Sequence, residues 1–157
     1  MSRGKSKLLD FENTKMVVLN GKAYQATLAL ETLAKEETMP DLKFLALAYQ
    51  RRKRCIDRIE IVEMLGKVQS AKAVGMLKDI ARKSSVELVR YYALRNLIEN
   101  GISLDDLKPS KTYSSFWASL ASYEEYRQDK ISLEELRIRA LPHAKQNDYN
   151  WRWLAYN

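Results

Sequence analysis

Arg51-Arg52-Lys53-Arg54, extended by Arg58, is the stretch best equipped for chemistry with another molecule. A guanidinium presents paired N–H donors that match the oxygens of a carboxylate or phosphate. Contiguous Lys/Arg also gives salt-sensitive, sequence-blind affinity for nucleic acid. Two functional readings therefore attach to the run: an acidic protein surface or a phosphate backbone. A structural reading stands beside them, in which the cations end a solvated helix and complement its C-terminal dipole. Lys72, Arg82 and Lys83 belong to the same candidate partner- or phosphate-binding set. The second candidate set is aromatic, since nine of the fifteen Phe, Trp and Tyr residues follow position 110. Trp117, Tyr123, Tyr126, Trp151 and Trp153, with Arg152 nearby, are of the types that anchor interfaces or stack on bases. Their structural reading is a cover for the last apolar face of a stacked helical array.

Catalytic constellations find little material. His143 is the only histidine and Cys55 the only cysteine, so no His/Cys zinc site can be assembled. A Cys55/His143 dyad needs the two to meet in space, but Cys55, beside Ile56 at an apolar helix start, is expected to be buried, and no family signature surrounds either. The acid pairs Asp105/Asp106, Glu124/Glu125 and Glu134/Glu135 are adjacent, which makes their side chains diverge on a helix, as at helix starts and solvated faces. Five glycines and no Gly-rich loop after a strand leave no phosphate cradle. The expectation is a non-catalytic chain without cofactor or metal.

The elements that must position these residues are helical. Arg58 to Gly101 holds three apolar-faced segments separated by short polar breaks: Ile59, Val62 and Leu65; Val74, Leu77, Ile80 and Ala81; Val86, Val89, Ala93 and Leu97. Spacings of three and four place each set on one helical face. Ser70 and Ser84/Ser85 stand where N-caps belong, and Gly101 follows a plausible last turn. Upstream, Asn20-Gly21 marks a turn before a helix over 22–37, and Pro40 opens the next helix, which ends in the basic run. Residues 1–7 read as a disordered basic leader and 8–19 as an irregular lead-in. Downstream, the pattern predicts a short capped turn at Ser103–Leu107 and a helix over 114–129. A further helix begins at the Ser132 capping box and ends at Pro142, before an aromatic tail. No hairpin signal appears, so the fold class is all-α.

A shift of 32 residues aligns Ala29, Ile61 and Ala93, and likewise Leu33, Leu65 and Leu97. Leu42 then meets Val74, Leu45 meets Leu77, and Arg58 meets Arg90. That period suits a helical solenoid, in which each helix pair buries its apolar stripe against the next. Val89-Arg90-Tyr91-Tyr92-Ala93-Leu94-Arg95-Asn96-Leu97 resembles the first helix of a HEAT-like repeat of the phycobilisome-lyase type. Leu65-Gly66-Lys67-Val68 with Ala73-Val74 and Leu77 resembles the Leu-Gly turn and second helix of the preceding one. The resemblance covers about residues 25–101. Ile61 departs from it where a small Ala is usual, and its Asp-Pro turn is absent. It implies a mostly structural role for Arg58 and Arg90, reaching toward a neighbouring repeat.

The 157 residues suit one domain: a leader and lead-in over 1–20, two to three HEAT-like helix pairs over 21–101, and an aromatic-rich helical cap over 102–157. Residues 1–103 carry 19 Lys/Arg against 12 Asp/Glu and the remainder 8 against 8, so the whole +7 belongs to the repeat-like part. Such a field favours acidic partners. No window reaches 18 apolar residues, and the basic start lacks a signal-peptide h-region, so no membrane insertion is expected. A single cysteine fits the reducing cytoplasm. The expected function is an adaptor, inhibitor or immunity-like module that docks an acidic partner protein. The alternative is a nucleic-acid-binding protein, of the HEAT-like DNA glycosylase kind.

Overall fold

Burial at three- and four-residue spacing builds every helix of the first hundred residues. The computed structural model describes residues 2–102 and 114–144 with Arg152, Leu154 and Ala155, the side chains of 2–6, 114–118, 120 and 121 excepted. The described residues form helices and no strand, as the all-α reading requires: α1 Ser2–Asn20, α2 Ala23–Ala34, α3 Leu42–Arg51, α4 Cys55–Val68, α5 Ala71–Lys83, α6 Glu87–Glu99, α7 Ser114–Arg127 and α8 Leu133–Ala144. The chain divides into two compact units, Met1–Ile102 and Ser103–Asn157, where the sequence places the start of its aromatic-rich segment. The +7 excess thus lies wholly in the first unit.

Within the first unit α2, α4 and α6 begin at Ala23, Cys55 and Glu87, each 32 positions after the last. α2 packs against α4 and α4 against α6, while α1, α3 and α5 pack on α2, α4 and α6 respectively. Leu33, Leu65 and Leu97 are all completely buried. Ala29, Ile61 and Ala93 are buried too, as are Leu45 and Leu77 on the other helices. The 32-residue register is therefore carried by burial as well as by element starts.

Local signals end the helices where side chains require it. Asp41 caps α3 by accepting Phe44 N–H at 2.8 Å, so Pro40 precedes the cap instead of entering the first turn. Ser70 caps α5 by accepting Ala73 N–H at 3.1 Å. Gly101 closes α6 at φ +81°, and Ile102 N–H reaches back to Leu97 O at 3.0 Å, the paired pattern that favours glycine. Asp129 adopts the same left-handed conformation (φ 55°) after α7.

Four expectations are corrected. Residues 2–20 are one helix, not a leader and irregular lead-in. Phe11, Thr14, Lys15 and Leu19 are part-buried around a fully buried Val18, a helical spacing that docks α1 on α2 and α3. Ser84 does not cap α6; Val86 holds that position, and the Ser84 hydroxyl accepts its N–H at 3.3 Å from outside the helix. Pro142 lies inside α8, which continues to Ala144. Cys55 is half-buried, not buried. The capped turn at Ser103–Leu107 lies outside the described residues, as do Asp105 and Asp106.

Gly66 shows how closely α4 and α6 approach. A Cβ added there would stand 1.8 Å from Asn96 Oδ1 and 3.0 Å from Asn96 Cβ. Asn96 is held by donating from Nδ2 to Glu63 Oε1 at 3.0 Å and to Tyr92 O at 2.9 Å, so it cannot swing aside without losing both bonds. Overpacking costs about 1–3 kcal/mol, against about 1 kcal/mol of helix propensity gained. Gly66→Ala should therefore destabilise by about 1–2 kcal/mol in urea unfolding, where an exposed helical glycine such as Gly75 should instead gain from the same change.

Candidate functional site

The basic run crosses a break between two helices. α3 ends at Arg51, Arg52 is its extended C-cap, and Arg54 is the N-cap of α4. With no shared helix, the side chains radiate. Arg51 Nη1 donates to Asn20 Oδ1 at 2.9 Å and Arg52 Nη1 to Gly21 O at 3.2 Å. Arg54 Nη1 donates to Thr27 Oγ1 at 3.2 Å, and that hydroxyl donates to the buried Asp57 Oδ1 at 2.6 Å. Three members of the run thus tie the α1–α2 turn and the start of α2 to the α3–α4 connection. Lys53 is exposed without an ion pair among the described residues, as are Lys72 and Arg82 on α5. Lys83, exposed at the end of α5, lies 3.7 Å from Asp79.

Arg58 and Arg90 repeat one device. Arg58 Nε donates to Arg52 O at 2.9 Å and Arg90 Nη1 to Ser84 O at 2.7 Å, each acceptor being the C-cap carbonyl of the preceding helix. Their surroundings differ. Arg90 is buried. Arg58 is half-buried, with its guanidinium carbon 4.6 Å from the centre of the Tyr49 ring. Ring and backbone fix the group, while its Nη atoms have no protein partner among the described residues.

Arg58 lines a groove of about 400 Å³ between α3 and α5. Ala46, Met76 and Ile80 contribute apolar atoms; Tyr49, Gln50 and Ser85 contribute hydroxyl and amide groups; Arg58 and Lys83 contribute positive charge. Asp79 is the only acid on its wall among the described residues. A fixed guanidinium, a second cation and neighbouring hydroxyl-bearing residues are the kinds of group that can bind a carboxylate or phosphate.

No protein-family model matches the chain, and neither a curated protein nor a solved structure matches it significantly. Of the eight basic candidates, Arg58 and Lys83 share it, whereas Arg51, Arg52 and Arg54 turn toward the preceding helix pair. Tyr49, Gln50 and Asp79 on helices and Ser85 in the α5–α6 connection are not marked as site residues by the sequence, because isolated positions of these types carry no motif; a groove is visible only once α3 and α5 are placed side by side.

The aromatic set falls in the second unit. Tyr123 and Tyr126 are half-buried, 6.5 Å apart, and pack against the cluster of Leu136, Ala140, Ala144, Leu154 and Ala155. Trp151 and Trp153 lie outside the described residues, as does the side chain of Trp117. Adjacent acids do diverge here. Glu124 is buried against Arg127 at 3.1 Å, not solvated as the sequence suggests, while Glu125 accepts from Arg139. No group of three or more His, Cys, Asp or Glu side chains among the described residues could hold a metal, and no described helix is long and apolar enough to cross a membrane.

The exposed face of α2, α4 and α6 holds carboxylates instead. Burial of Glu60 and the neighbouring charges of Glu31 and Glu63 hold its carboxyl above the usual carboxylate range, opposed by Lys67 and Lys35. A raised folded-state value stabilises the fold only at acid pH and is lost as pH rises through it. Glu60→Gln should therefore stabilise the protein at pH 7, by about 0.3 kcal/mol for a solvent-screened like-charge contact. The gap should close as the medium is acidified into the ordinary carboxylate range, which thermal melts of both proteins across pH will check.

Proposed function

We propose that this chain is a non-catalytic binding module, a short α-solenoid of HEAT-like helix pairs, that docks an acidic segment of a partner protein in the α3–α5 groove. The observation that carries the reading is Arg58: a guanidinium 4.6 Å from the Tyr49 ring centre, tethered to the Arg52 carbonyl, its Nη atoms without a protein partner among the described residues, in a groove that Lys83 also lines. A group already fixed in its bound geometry loses little entropy on binding. The solenoid part rests on the 32-residue recurrence of helix starts, buried leucines and the Arg58/Arg90 tether. Lys72 and Arg82, exposed on α5, add to the positive field that steers an acidic partner and raises its rate of encounter.

The nucleic-acid reading has one specific support. Tyr49 and Asp79 line the same groove as two cations, the kind of ring and carboxylate a helical-repeat DNA glycosylase would need. Asp79 is largely exposed and lies beside Lys83, however, a solvated acid and not a desolvated base.

The experiment is fluorescence anisotropy with a labelled Asp/Glu-rich peptide and, separately, an oligonucleotide of equal charge. The protein-docking reading predicts peptide binding that weakens in Arg58→Ala and Lys83→Ala and persists in Arg51→Ala. Tighter retention of the oligonucleotide, or base release from a damaged duplex, would overturn it.

A further inference from the structure

The α3–α5 groove leaves the other side of the first unit unaccounted for. Along the row α2, α4 and α6, the second residue of each helix is a large exposed apolar side chain: Tyr24 at 72%, Ile56 at 47% and Leu88 at 50% exposure. These are equivalent positions in the 32-residue register, so the exposure recurs by construction and not by accident of one site. The helices run parallel, because their cross-links advance together. Thr27 bonds Asp57 near the starts of α2 and α4, and Glu63 and Gly66 of α4 meet Asn96 and Asn100 of α6. Packed helix axes lie about 8–10 Å apart. The three side chains therefore form a line about 20 Å long across the helices.

Acid flanks this line on α2 and α4, while on α6 the position equivalent to Glu31 and Glu63 is Arg95, paired with Glu99 at 3.1 Å. Glu60 lies one turn beyond Ile56; Glu31 and Glu63 lie two turns beyond Tyr24 and Ile56. Leu28 and Tyr92, one turn beyond Tyr24 and Leu88, extend the apolar edge. Burial first, and then the charges of Glu31 and Glu63, disfavour charge on Glu60, and a cation set over these carboxylates would relieve the second of these. Lys35 and Lys67 stand a further turn away, on the side opposite the apolar line.

We propose that the exposed face of α2, α4 and α6 docks an amphipathic helix of a partner protein, with apolar side chains on Tyr24, Ile56 and Leu88 and Lys or Arg over Glu31, Glu60 and Glu63. Spacing and charge select that occupant. A helix rises about 1.5 Å per residue, so apolar residues seven apart recur every ~10 Å and match the interval between successive α-helices of the row. A long basic side chain on the flank then spans the one to two turns to the carboxylates. This surface is distinct from the Arg58 groove and carries its acids on α2 and α4 beside the apolar line, and the inference does not depend on the groove's function.

The test uses the full chain and a labelled helical peptide of about 20 residues with leucines seven apart. One version carries Lys along a flank and its twin carries Glu. The Lys peptide should bind despite the chain's +7 charge, and its affinity should fall about tenfold in Glu60→Gln/Glu63→Gln, a substitution that leaves Asn96 an acceptor. Ile56→Ser should weaken it about fivefold or more, and Arg58→Ala should leave it unchanged. Circular dichroism confirms that each variant stays folded. Absent binding, binding indifferent to the Gln pair or to Ile56→Ser, or equal binding of the Glu twin at this face would overturn the assignment. So would concentration-dependent self-association abolished by Ile56→Ser, since the occupant would then be a second copy of this chain.

Discussion

Leu65→Ala should lower the unfolding free energy by about 3 kcal/mol, within the range of about 2–5 for a fully buried leucine truncated in a core that relaxes incompletely. Leu65 has no exposed surface, and its helix α4 packs against α2, α3, α5 and α6. Four helices pack on α4, so the walls around the deleted atoms are held from several sides and resist collapse inward. Leu33 and Leu97 occupy the equivalent positions with the same complete burial. Leu88→Ala, at half-exposed Leu88, should by contrast stay within about 0.5 kcal/mol of wild type. Urea denaturation followed by circular dichroism separates the two. A Leu65→Ala cost below about 1 kcal/mol would mean that the shared core does not run through α4.

Arg58 carries the largest expected effect on binding. A hydrogen bond to a charged group contributes about 1.5–3 kcal/mol, so Arg58→Ala should weaken an acidic peptide about 10- to 100-fold. Arg58→Lys keeps the charge but loses three things: the fork, the guanidinium contact with the Tyr49 ring, and the Nε donor to the Arg52 carbonyl. It should recover less than half of the loss in free energy. Full rescue by lysine would reduce the site to a point charge in a positive field. Arg51→Ala should change affinity less than about twofold, because Arg51 is engaged with Asn20 and lies outside the groove lining.

How much of this was legible in the residues depends on what kind of signal each feature carries. Apolar periodicity exposed α2 to α7 and the Ser132 capping box the start of α8, and the 32-residue register emerged because burial must recur when helix pairs stack. α1 was missed for a physical reason: Leu8, Leu9, Met16 and Val17 are exposed, so the apolar residues do not mark the buried face. What docks the helix is Val18 flanked by part-buried Phe11, Thr14 and Lys15, with the Lys15 amine 5.3 Å from the centre of the Phe44 ring. The basic run was legible as charge but not as geometry. Its arginines follow one another across a helix break, so adjacency in sequence disperses them in space, and only Arg58 from that region enters the groove with Lys83. The exposed row of Tyr24, Ile56 and Leu88 needed only the same shift applied to surface positions as to core positions.

The most direct test of the central claim is an NMR titration of the isotope-labelled full chain with an Asp/Glu-rich peptide, followed through backbone amides and arginine side-chain resonances. The account predicts saturable shifts concentrated at Tyr49, Gln50, Arg58, Lys83 and Ser85, with the Arg58 guanidinium among the largest. Shifts centred on Arg51 to Arg54, or diffuse shifts that vanish with modest salt, would contradict it.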